Sequence, residues 1–117
     1  MPVVLLRRIV GLSMAPTLSE GRLVLGQTGV KKVKVGQVYV YTQDGREVIK
    51  RLTQVRGEEM FFVGDNRALS SDSRTFGWVG PDRLIARVIW PPAKRPSGFD
   101  VSESESAKSD QNNQGNR

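Results

Sequence analysis

The chain has 117 residues, enough for one small domain. It contains neither cysteine nor histidine, which excludes disulfides, thiolate nucleophiles, a Ser-His-Asp triad and histidine-based metal sites. Lys and Arg number 18 against 12 Asp and Glu, a net charge of +6, but only Lys31-Lys32-Val33-Lys34 forms a cluster, so a solvated basic surface is a better reading than a nucleic-acid site.

Taken in chain order, Val3–Leu6 is a short apolar run followed at once by Arg7-Arg8. It is too short for a membrane span or a signal-peptide core, although it suits weak contact with a membrane surface. Next comes Gly11-Leu12-Ser13-Met14-Ala15-Pro16-Thr17-Leu18, a loop in which Pro16 suits the start of a single helical turn over Ala15–Ser19. Ser13 on such a loop is placed either as an exposed nucleophile near free backbone N–H groups or as an ordinary helix cap, with Met14 and Leu18 in the core.

Runs rich in Val, Ile, Tyr and Phe then predict strands over Arg22–Gly26, Gln37–Thr42, Glu47–Val55, Met60–Val63 and Leu84–Trp90. Asp44-Gly45 predicts a tight hairpin turn, and Gly57-Glu58-Glu59 a second turn. In Val48-Ile49-Lys50-Arg51-Leu52, alternation places Lys50 on one face with Val48 and Leu52. Apolar neighbours would desolvate its amine and lower its pKa. Service as a base near neutral pH requires a drop from about 10.4 that costs about 4 kcal/mol. A nearby carboxylate would work against it, and a lysine that snorkels to water is the plainer alternative.

Gly64-Asp65-Asn66-Arg67-Ala68-Leu69-Ser70-Ser71-Asp72-Ser73-Arg74 has the composition of an ordered polar loop held by side-chain to backbone bonds. Asp72 and Arg74 are spaced to pair and brace it; the bland alternative is a surface loop with no role. After Pro91-Pro92 the sequence turns polar, with no large apolar residue beyond Val101. The expected organisation is a domain over 1–92 and a disordered polar tail over 93–117. The expected fold is mostly β, a small coiled β-barrel or sandwich.

The three segments resemble, in order, the motifs of type I signal peptidases and their soluble relatives, the serine/lysine-dyad peptidases. Ser13 to Leu18 matches the Ser-Met-x-Pro-Thr-Leu nucleophile block, Lys50-Arg51 the base motif, and Gly64 to Arg74 the third motif, followed by Gly77-Trp78-Val79 and Pro81 and ending on Arg87-Val88-Ile89-Trp90-Pro91. The likeness covers about residues 8–91.

The resemblance implies a serine endopeptidase without cofactor or metal. Ser13 is the nucleophile and Lys50 the neutral base; the Ser13 N–H helps hold the oxyanion. Ser70 bonds and orients the Lys50 amine. Gly64, Asp65, Asn66, Asp72 and Arg74 support the site, and Ile9, Met14, Leu18 and Ile49 line shallow pockets for small side chains before the cut. The implied partner is a precursor protein bound as an extended strand, with no nucleic acid and at most peripheral membrane contact.

Gly11 stands where some members place a serine that donates to the oxyanion, and Ala68-Leu69 replaces a more polar pair. No membrane anchor is present in the sequence, so a cytoplasmic location and the compact, anchorless branch are expected. Of that branch the chain most resembles the nickel-type superoxide dismutase maturation protease, through Ser73-Arg74-Thr75-Phe76-Gly77. A self-cleaving repressor of similar fold is disfavoured because only twelve residues precede Ser13. A small basic β-barrel that binds without catalysis leaves the three motifs unexplained.

Overall fold

Short β-branched and aromatic runs separated by glycine turns favour antiparallel hairpins, and the fold is built from them. A computed structural model describes residues 2–94. Six strands, β1 (Val4–Arg8), β2 (Leu23–Gln27), β3 (Val38–Gln43), β4 (Arg46–Arg56), β5 (Glu59–Val63) and β6 (Leu84–Trp90), form one antiparallel sheet in the order β1-β2-β6-β3-β4-β5. The mostly β expectation holds. Asp44 and Gly45 both take positive φ, 52° and 77°, as a type I′ hairpin turn requires. Gly57, at φ 59°, turns β4 into β5.

Two features differ from the sequence reading. Val4–Arg8 is a full strand paired with β2, where only a short apolar run had been expected. Ala15–Ser19 contains no helix. The loop closes instead through bonds from Ala15 N to Leu12 O and from Leu18 N to Met14 O.

β3 is the pivot of the packing. Its alternate side chains enter two cores, Val38 and Val40 on one side and Tyr39 and Tyr41 on the other. The first core adds Ile9, Met14, Leu18, Val24, Ala86 and Val88. The second adds Leu52, Met60, Phe62 and Val79, with Tyr41 stacked on Phe62 at 4.1 Å between ring centroids.

The sheet also coils. Strands sit about 4.8 Å apart, and three strands separate β1 from β4 in the sheet order. Yet Arg7 of β1 touches Glu47 of β4 at 2.7 Å. The coil brings the first half of β4 opposite β1 and leaves a cleft between them. Among the described residues no helix is long and apolar enough to cross a membrane. Ala93 packs against the first core; the remainder of the expected tail, 95–117, lies outside the described residues.

Candidate active site

The cleft is lined by Arg7, Arg8, Ile9 and Val10 on one side, by Glu47, Val48, Ile49 and Lys50 on the other, and by Ser13 and Met14 at its end. Its volume is about 130 Å³. Both walls are strand edges with spare backbone groups. Among the described residues β1 pairs with β2 alone, and β5 pairs with β4 only from Arg51 onward.

Ser13 and Lys50, far apart in sequence, meet here. Lys50 Nζ donates to Ser13 Oγ at 2.7 Å. Lys50 is 6% exposed, and among the described residues no carboxylate lies within ion-pairing distance of it. Burial therefore lowers its pKa from the ordinary 10.5. The field of Asp72 acts in the opposite sense, and that of Arg74 reinforces the lowering. Among the described residues nothing accepts from the Ser13 N–H, which leaves it available to a ligand.

The polar loop holds the serine by its backbone. Asn66 N donates to Ser13 O at 2.8 Å, and Asp65 N contacts Met14 Sδ at 3.4 Å. Gly64 lies so close that a Cβ there would strike Ser70 Oγ and would stand 2.6 Å from Ser13 O; only glycine fits without a shift. Asp72 is the loop's knot. It accepts from Gly64 N at 2.9 Å, Ser70 Oγ at 2.5 Å and Arg74 Nε at 2.9 Å. Burial alone would raise its pKa. The bonds from Arg74, Ser70 and Gly64 outweigh burial and hold the carboxyl below its ordinary 3.8. The expected Asp72–Arg74 pair is thus present.

Two expected placements are corrected. Ser70 does not bond the Lys50 amine. Its hydroxyl donates to Asp72, since an ionised carboxylate is the stronger acceptor. Leu18 does not line the cleft. It is buried in the first core beside Met14, while Ile9, Met14 and Ile49 do line it. Gly11 has φ 82° with open space around a would-be Cβ, so glycine is favoured there by backbone conformation and not by crowding.

Arg51 and Thr17 stand within the sequence motifs, and the structure gives them a role. Arg51 Nε and Nη2 grip Asp65 at 2.8 and 2.7 Å, and Thr17 Oγ1 donates to the same carboxylate at 2.6 Å. One buried aspartate thereby ties the strand carrying Lys50, the loop carrying Ser13 and the polar loop together. The signal was a Lys-Arg pair accompanied by an aspartate in the third motif.

A family model described as Peptidase S24-like matches residues 3–79, well over half of the chain. The match takes in β1, both residues of the 2.7 Å contact and the polar loop, and stops short of β6. No curated protein matches the chain.

Proposed function

The chain belongs to the Peptidase S24-like family and is a peptidase of that kind; we propose that it is a serine endopeptidase working through a Ser13–Lys50 dyad. The observation that carries this reading is the 2.7 Å contact between a serine hydroxyl and a buried lysine that, among the described residues, has no paired carboxylate. A neutral amine takes the hydroxyl proton as Ser13 Oγ attacks the scissile carbonyl carbon. The tetrahedral oxyanion forms within reach of the Ser13 N–H. The Lys50 ammonium then gives its proton to the departing amine. Water, deprotonated by Lys50, releases the acyl group from Ser13.

Asp72 and Arg74 act together in this reading. Asp72 fixes the loop, and Arg74 offsets its charge so that the amine is not held in its protonated form. The substrate lies extended in the cleft, adding a strand between the spare edges of β1 and β4. Small side chains before the cut meet Ile9, Met14 and Ile49.

The finer assignment is to the signal-peptidase-like side of the family, removing a leader or propeptide from a precursor protein. Maturation of a nickel-type superoxide dismutase is the specific substrate proposed. It rests on the resemblance of Ser73–Gly77 alone.

The test compares wild type and Ser13→Ala in the source cells by profiling new protein N-termini. Cuts made only by wild type, after small residues, establish the activity and name the substrate. Matching profiles, with both proteins folded and present, sink the catalytic reading.

A further inference from the structure

The cleft has two chemically different ends, and the dyad uses only one. Leu5, Arg7 and Ile9 alternate with the more exposed Val4, Leu6 and Arg8 along the chain at β1, so their side chains share the inward face. On β4 the same period of two groups Glu47 with Ile49. Two rungs therefore cross the cleft. Ile9 and Ile49 form the apolar rung beside Ser13. Arg7 and Glu47 form the next, with Arg7 Nε and Nη2 donating to the Glu47 carboxylate at 2.7 and 3.1 Å.

This second rung is charged, and its cation keeps donors to spare. Arg8 also lines the cleft, where it donates to Gly21 O; among the described residues no carboxylate pairs with it. Arg8 stands on the opposite face of β1 from Arg7, so the donors that count within the rung are those of Arg7. Arg7 gives three of its five N–H groups to Glu47 and to Leu6 O, which leaves two for a further acceptor. Both members of the pair are 39% exposed, and exposed ion pairs hold little free energy against an incoming partner.

An extended substrate has the same rise, about 3.3 Å per residue, and the same period of two as the strands beside it. A side chain seated against Ile9 and Ile49 is therefore matched, two residues along, by one that reaches Arg7 and Glu47. We infer that the Arg7–Glu47 pair is a charged specificity subsite that reads the third residue before the cut and favours an acidic side chain there. This rests on the peptidase reading, in which the small residue immediately before the cut occupies the apolar rung.

The experiment uses three ten-residue peptides identical except for Glu, Gln or Lys at the third position before an alanine that precedes the cut. Turnover is measured as kcat/KM with wild type, Arg7→Gln and Glu47→Gln, and binding to Ser13→Ala is followed by fluorescence anisotropy. Wild type is expected to prefer Glu over Lys by about fivefold, the scale of an exposed ion pair, and to lose most of that preference in high salt. Glu47→Gln widens the preference by releasing Arg7. Arg7→Gln reverses it by leaving Glu47 unpaired.

Equal turnover of the three peptides by wild type, with no change in either variant, overturns the charged subsite and leaves the peptidase reading standing. The expected order in binding to Ser13→Ala, with no cleavage by wild type, supports the subsite and overturns the peptidase reading. Neither binding nor cleavage of any peptide overturns both.

Discussion

Lys50 and Arg51 are neighbours on one strand, both cationic by nature and both buried, yet their surroundings are opposite. Arg51 is held by two bonds to the Asp65 carboxylate, and the two side chains are 2% and 0% exposed. Lys50 has a serine hydroxyl for its hydrogen-bond partner. A buried charge needs a counter-charge or it gives up its proton. Arg51 meets that demand by pairing and serves as a brace. Lys50 meets it by a lowered pKa, with burial the main cause, as the proposed base requires. One residue step, which flips the side chain to the other face, separates a paired cation from an amine with no carboxylate in ion-pairing distance among the described residues.

Lys50→Met removes the amine and keeps its apolar bulk. Turnover is expected to fall by about a thousandfold or more, as when one member of a nucleophile–base unit is removed. The fold, relieved of a desolvated amine, is expected to gain about 1–2 kcal/mol. Steady-state kinetics and urea melts on the same preparation check both halves. A stability loss with the activity loss would mark Lys50 as a brace like its neighbour.

Asp65→Ala inverts the pattern. It strands the Arg51 guanidinium and frees Thr17, and is expected to cost about 3–5 kcal/mol, read as a lower urea midpoint. Replacing the pair together, Arg51→Met with Asp65→Leu, is expected to recover most of that loss, because the uncompensated charge is gone.

Gly64→Ala tests how the polar loop holds the Ser13 loop in place. Its methyl would push on Ser70 and the Ser13 carbonyl. The expected cost is about 1–3 kcal/mol, with a drop in kcat from displacement of the nucleophile. An unchanged kcat would show that the loop does not position Ser13.

The effects of pH on stability are slighter, and the two groups act in the same sense at different ends of the scale. Asp72 has a lowered folded pKa, so its contribution is full above 3.8 and is lost as pH falls through the folded value. Lys50 has a lowered folded pKa while the unfolded chain stays protonated up to 10.5. Between those two values the unfolded state binds the extra proton, and stability rises with pH. In Lys50→Met this alkaline rise should vanish, as seen in melts at graded pH.

Much of this was legible in the sequence, for reasons that differ by element. The β3–β4 hairpin was readable because Asp44-Gly45 carries its turn geometry locally. Lys50 was readable because its apolar neighbours lie at i±2. β1 was missed because Arg7 occupies an inward position where alternation calls for an apolar residue; its reason, Glu47, is 40 residues away. Leu18 and Ser70 were misplaced for a related reason. Their partners, the first core and Asp72, are chosen by the path of irregular loops, which no periodicity encodes. Arg51 was visible as half of a motif, but a buried pair with Asp65 follows from tertiary packing alone.

A role for Lys50 as base rests on burial with no carboxylate in ion-pairing distance among the described residues. Its most direct test is an NMR titration of the Lys50 side chain, set beside the pH dependence of kcat/KM. Lys50 is expected to titrate below the ordinary 10.5, with activity rising through the same pH. A Lys50 that titrates at or above 10.5, or an activity profile indifferent to its titration, would contradict it.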